Sequence, residues 1–293
     1  MTRLLECTQG DASMAVAPAL GGALAWLRWR GHDILRPFDP AGEQRANLCG
    51  SYPLIPWSNR IANGRFTFNG ASHAVKRNFG DHPHPLHGSG WQSAWQVAHV
   101  AADEVALQLD SPASESWPWP WRGQQIFRLS SDRLRIELSY CNRAQESVPV
   151  GLGFHPFFAD AAESEIRFAA AGVWLNDENS LPCEAVAVPE KWRYTRFRPP
   201  VFASVDNCFT GWQAPAEVRW PQRRIRVEMR SAAGNAVLFI PPRERNVVAI
   251  EPVTHVNNAI NLLPADGGEQ AMTTVHPGET FSHWMELRMI SDE

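Results

Sequence analysis

The chain has 293 residues, 44% hydrophobic and 20% charged, with a formal net charge of −4. That is the composition of a soluble globular protein with ample material for a core, and it carries no basic excess that would draw in nucleic acid or an anionic membrane. The five cysteines (Cys7, Cys49, Cys141, Cys183 and Cys208) are odd in number, scattered and free of any CxxC pair, which argues against a disulfide framework or a zinc knuckle.

The opening stretch MTRLLECTQGDAS lacks the apolar run of a signal peptide, and no stretch approaches the ~20 apolar residues of a membrane span. A reduced, cytoplasmic location is the expectation. Length alone suggests two domains, yet all-β folds of this order of size often form one unit. With no internal repeat and no low-complexity linker, a single domain over residues 1–293 is the simplest organisation.

In chain order, the first clear element is a hairpin in RFTFNGASHAV, where Asn69-Gly70 separates Phe66 and Phe68 from His73 and Val75. EVALQL then alternates Val105, Leu107 and Leu109. The Pro-rich stretch from Ser111 to Gly123 lies between strands and reads as an ordered loop. QIFRLSSD brings Phe127 and Leu129 inward and turns at Ser131-Asp132. DRLRIELSY follows, with Leu134, Ile136, Leu138 and Tyr140 on one face. RIRVEMR alternates Ile225, Val227 and Met229. NVVAIE reads as a buried strand ending at Glu251, held by Pro252. FSHWMELRM puts Phe281, His283, Met285, Leu287 and Met289 on one side. No segment of helical length carries a 3.6-residue apolar stripe with caps. Many short strands with closely spaced turns predict an all-β fold, a large antiparallel β-sandwich.

Five places could carry chemistry, and each also has a plain structural reading. Arg60, in YPLIPWSNRIANGRF, could present a planar fork of donors to hydroxyls or tie down loop carbonyls. In DHPHPLHGSGW, His87 could hydrogen-bond a ligand, with Gly88 and Gly90 letting the backbone come close to it. His82, His84 and His87 together invite a cupin-like metal reading, but no Glu follows at a suitable spacing, and no metal is expected. His155, in GLGFHPFF, is a catalyst or a satisfied core histidine, and its Gly-x-Gly lacks a nucleotide-binding context. Asp206, in SVDNCFTGW, is a sugar-binding acid beside aromatics or part of an Asx turn. Glu251 is either a rigidly presented carboxylate or a strand end reaching solvent. The chain has 13 Trp, and the core accounts for most of them; the rest could stack on sugar faces.

Taken in order, NRIANGRF, PLHGSGW, GFHPFF, DNCFTGW and EPVTHVNNAINL resemble the aldose 1-epimerase (galactose mutarotase) family, and the likeness spans nearly the whole chain. The resemblance implies a sugar in an open cleft of a β-sandwich, with no cofactor. It makes Glu251 the general base and His155 the general acid, and gives Arg60, His87 and Asp206 the task of holding the sugar. A half-buried Glu251 with a raised pKa would face a protonated His155 across a sugar-sized gap. Phe209, Trp212, Trp117, Trp119 or Trp121 would supply a stacking face.

The sequence departs from the family's fullest pattern at Phe154-His155-Pro156, His87-Gly88-Ser89 and Thr254-His255, which bears on the substrate more than on the reaction. Alternatives are a hexose-6-phosphate 1-epimerase, with Arg60, Arg65, Arg77 or Arg143 meeting the phosphate, and a non-catalytic sugar-binding protein. Monomer and homodimer both remain open.

Overall fold

The structure, a computed structural model, describes residues 2–264 and 266–292. Among them the only α-helix is one turn, Ala259–Leu262, and almost every other element is an antiparallel strand or a short 3-10 turn. No helix among the described residues is long and apolar enough to cross a membrane. All five cysteines are free.

Two large antiparallel sheets form the sandwich. The first has nine strands, with Ile225–Ser231, Thr280–Ser291, Arg133–Asn142 and Trp121–Ser130 adjacent at its centre. Trp121–Ser130 and Arg133–Asn142 pair along ten residues each, joined by the Ser131-Asp132 turn. Leu134, Ile136, Leu138 and Tyr140 are all buried, as are Met285, Leu287 and Met289 beside them. Each such side chain stabilises the sheet by roughly 1.5–3 kcal/mol. The opposite face carries cross-strand ion pairs such as Arg128–Glu104 and Arg128–Glu137, worth about 1 kcal/mol or less apiece.

The Asn69-Gly70 hairpin forms as the sequence predicts. Arg65–Phe68 pairs with Ala71–Ala74, and both turn residues take positive φ (48° and 79°), the pattern of a type I′ turn. The stretch after Ser111 is an ordered loop until Trp121. It carries Trp117 into the core against Trp57 and Phe66. Trp117, Trp119, Trp121, Phe209 and Trp212 are all buried in the core, and none of them lines the pocket around Glu251.

The second large sheet positions the site. Its central strands are Val205–Thr210, Asn235–Ile240 and Val247–Val253, with Gly153–Phe154 and Phe157–Ala159 along the far side of Val247–Val253. One cross-strand row runs Asp206, Phe239, Ala249, Phe157. Directly paired residues share a face, and so do residues two apart on a strand, so Glu251 joins that face. Asp206, Phe239, Phe157 and Glu251 line one hollow on that face.

Candidate active site

Glu251 is not at a strand end. It is the fifth of the seven residues of Val247–Val253 and pairs with Val237. It is also deeply buried, at 2% exposure, rather than half-buried. Pro252 had suggested a terminus because proline cannot donate to a ladder. Here the strand continues past it, and the ladder lapses locally. Gly153 pairs with Val253 and Phe157 with Ala249, which puts His155 opposite Glu251. Between those pairings Pro156 and Pro252 each lack an N–H. The His155 N–H turns instead to the carbonyl of Tyr52, at 3.0 Å.

The two side chains meet directly. His155 Nε2 lies 3.2 Å from Glu251 Oε1, a hydrogen-bond distance rather than a sugar-sized gap. The imidazole packs against the rings of Tyr52 and Phe157, with centroids at 4.7 and 4.4 Å. Burial raises the Glu251 pKa well above the usual carboxylate range, and the Asp206 charge pushes the same way. Burial lowers the His155 pKa, and His87, Arg36 and Arg245 lower it further. Both shifts favour the uncharged forms, a protonated carboxyl beside a neutral imidazole, and so run against the protonated His155 that the sequence suggested. A second deeply buried carboxylate, Glu217, shows the contrast. Arg167 and Arg226 clamp it, and it has a purely structural setting.

His87 stands at φ 60°, a left-handed conformation that non-glycine residues seldom adopt. Its Nδ1 accepts the Asn59 N–H at 3.0 Å, so in the neutral ring Nε2 carries the proton. Burial, with Arg60 and His82, lowers its pKa to about 3. His87 is thus an uncharged donor at neutral pH. Gly88 and Gly90 serve a different purpose from the one expected. A Cβ on Gly88 would lie 2.0 Å from the Ile55 carbonyl and one on Gly90 2.3 Å from the Ile55 side chain, so they seat the loop on the protein itself rather than on a ligand. His84 Nδ1 likewise accepts the Asn63 N–H. No group of three or more His, Cys, Asp or Glu among the described residues is disposed to hold a metal.

Arg60 does not tie down carbonyls. Its guanidinium donates to Asn59 Oδ1 at 3.1 Å and to Asp206 Oδ2 at 3.2 Å. Asp206 lies within the strand Val205–Thr210 rather than in an Asx turn. His255 fastens the chain: its Nδ1 donates to the Val256 carbonyl and its Nε2 accepts the Ser58 N–H at 3.0 Å. Gly151 is needed there, since a Cβ would fall 1.9 Å from the His255 ring.

Arg60, His87, His155, Asp206 and Glu251 all line one open pocket of about 140 Å³. Sequence reasoning missed Tyr52, Trp91, Phe239 and Arg245, which line it too. Alternation on their own strands marks Phe239 only as apolar. Arg245, in PPRERNVV, looks like one more solvated charge. Arg65, Arg77 and Arg143 do not line the pocket. The arrangement offers a carboxyl–imidazole pair able to move protons, neutral and charged hydrogen-bond donors, and aromatic walls.

The family model described as aldose 1-epimerase matches residues 3–288. The chain is 28% identical to the uncharacterized protein YphB of Escherichia coli (strain K12) over 265 residues, covering 87% of this chain and 88% of that one. It is 27% identical to galactose mutarotase of Bos taurus over 135 residues, 45% of this chain and 38% of the other. The crystal structure of a candidate aldose 1-epimerase from Escherichia coli K12 superposes with a TM-score of 0.89 at 25% identity, covering 99% and 100% of the two chains.

Proposed function

Because the chain belongs to the aldose 1-epimerase family, we propose that it interconverts the α and β anomers of an aldose by acid–base ring opening, with Glu251 as base and His155 as acid. The observation that carries this is the buried Glu251–His155 contact of 3.2 Å inside a pocket that also holds Arg60, His87 and Asp206.

Opening a pyranose requires removing the proton of the C1 hydroxyl while protonating the ring oxygen O5. In the free pair both pKa shifts favour a protonated Glu251 beside a neutral His155. As a sugar brings hydroxyls and dipoles into the pocket, the charged form of the pair gains partners. The proton then crosses the short contact to His155, leaving a carboxylate toward the C1 hydroxyl and an imidazolium toward O5. Glu251 takes the hydroxyl proton, His155 gives its proton to O5, and the C1–O5 bond breaks to the aldehyde. Rotation about C1–C2 presents the other carbonyl face, and the same two transfers in reverse close the ring. Positioned groups of this kind contribute about 10²–10⁴-fold each.

The neutral His87 N–H and the Arg60 fork suit hydroxyls and the negative charge that develops on opening. Asp206, half-exposed at the pocket wall, suits hydroxyls away from C1. Tyr52, Trp91, Phe157 and Phe239, which line the pocket, supply the ring faces. The test is polarimetry or exchange NMR on freshly dissolved α-glucose and α-galactose. Anomer exchange above the uncatalysed rate supports the reading, and sugar binding without exchange favours a non-catalytic sugar-binding protein instead.

A further inference from the structure

The chain has three tyrosines, and their hydroxyls are used in three different ways. The Tyr194 hydroxyl accepts the Val201 N–H at 3.1 Å. The Tyr140 hydroxyl is sealed inside the core, out of reach of any ligand. Tyr52 lines the pocket and is only 5% exposed, yet its hydroxyl makes no hydrogen bond to another of the described residues. Unlike the Tyr140 hydroxyl it is not sealed off, and the pocket is the opening it faces. A nearly buried hydroxyl left without a partner is costly unless water or a ligand reaches it.

Neighbouring rings fix where that hydroxyl stands. Tyr52 stacks on His155 at 4.7 Å between centroids and meets Trp91, His87 and Phe157 at 5.4, 5.9 and 6.2 Å. Its carbonyl accepts the His155 N–H at 3.0 Å, so the backbone ties the two residues as well. Burial raises the phenol pKa well above its usual value, and of the surrounding charges that of Glu251 raises it most. Arg36 and Arg245, the latter beside the Phe157 and Phe239 rings, act the other way. Tyr52 is therefore a neutral donor, held against the imidazole and close enough to Glu251 to feel its charge. In the reading above, which this inference rests on, Glu251 addresses the C1 hydroxyl. The sugar oxygens on that side are O1 and, one carbon along, O2. Negative charge develops on O1 as its proton leaves, and a donor aimed there strengthens with it.

We infer that the Tyr52 hydroxyl is a further substrate-contacting group, donating a hydrogen bond to the sugar at its C1–C2 end, to O1 or to O2. The reactive pair then works with a third group whose place is set by ring packing rather than by a flexible stem.

The test is a cycle between one protein hydroxyl and one sugar hydroxyl. Wild type and Tyr52→Phe are compared by tryptophan fluorescence for binding of glucose, 1,5-anhydroglucitol (which lacks O1), 2-deoxyglucose and 6-deoxyglucose. The three reducing sugars are also compared by kcat/KM for anomer exchange. Tyr52→Phe keeps the ring and its packing, and far-UV circular dichroism checks the fold. It should weaken glucose and 6-deoxyglucose about three- to tenfold. The loss should vanish with 1,5-anhydroglucitol if O1 is the partner, and with 2-deoxyglucose if O2 is. Tyr140→Phe removes a hydroxyl that no ligand reaches and should leave every sugar at its wild-type value. An effect on glucose below about twofold, or one that persists undiminished with both 1,5-anhydroglucitol and 2-deoxyglucose, overturns the inference, as does a wild type that binds none of the four. If sugars bind but none is exchanged, the proposed function fails, and the binding cycle still decides this point.

Discussion

His155 sits directly across from Glu251 between two strand segments, with 3.2 Å separating Nε2 from Oε1. The residues are far apart in the chain, and backbone pairing on either side sets their meeting, so neither depends on a flexible loop for its aim. Glu251→Gln and His155→Asn should each lower kcat/KM for anomer exchange by about 10²–10⁴-fold. Far-UV circular dichroism should be unchanged. Wild-type-like polarimetric rates in either variant would remove that residue from the mechanism.

The pair's shifted pKa values predict a bell-shaped pH dependence of kcat/KM. The active form holds one proton. Below the lowered His155 pKa a second proton is taken up, so the acid limb should lie under pH 6.5; above the raised Glu251 pKa the last proton is lost. The Asp206 charge helps raise the Glu251 value, so Asp206→Asn should move the alkaline limb to lower pH. An alkaline limb that stays in place in that variant contradicts the assignment.

His283 gives a pH prediction away from the pocket. It is buried beside Phe154, and burial lowers its pKa from 6.5 to about 4. The folded state holds it neutral, while the unfolded chain takes up a proton below pH 6.5. Its contribution is whole above pH 6.5 and is lost as the pH falls from there through about 4. At pH 5 the loss is about 2 kcal/mol. His255, lowered to about 4, and His87, lowered to about 3, act with the same sign. Urea unfolding at pH 7 and pH 5 should show the wild type losing about 2 kcal/mol more than His283→Phe. Equal losses would show that His283 is not the group titrating.

Gly151→Ala should destabilise the protein by about 3 kcal/mol or more, because the new methyl would fall on the His255 ring. Adding His255→Ala opens that space, so the double variant should be more stable than the sum of the two single effects predicts. Strict additivity of the unfolding free energies would mean that the backbone yields instead.

The strands were legible because their alternation is local: Leu134, Ile136, Leu138 and Tyr140 announce a buried face within one segment. Asn69-Gly70 announces its turn by backbone preference alone. The five candidate residues were legible only as an ordered set of motifs, since each has an ordinary structural use. What stayed hidden depends on register between distant strands. Nothing local in NVVAIEP says that the strand continues past Pro252. Nothing in PPRERNVV says that Arg245 reaches the rings of Phe157 and Phe239. The tryptophans misled for a related reason: a large aromatic on a Pro-rich loop can cap a core as readily as it can face solvent, and here Trp117 packs on Trp57.

Phe157 and Phe239 lie in register on either side of Ala249, and both line the pocket together with His155 and Glu251. The walls that would grip a ligand and the groups that would react with it thus hang on one hydrogen-bonded ladder, so a slip in strand register would displace both at once.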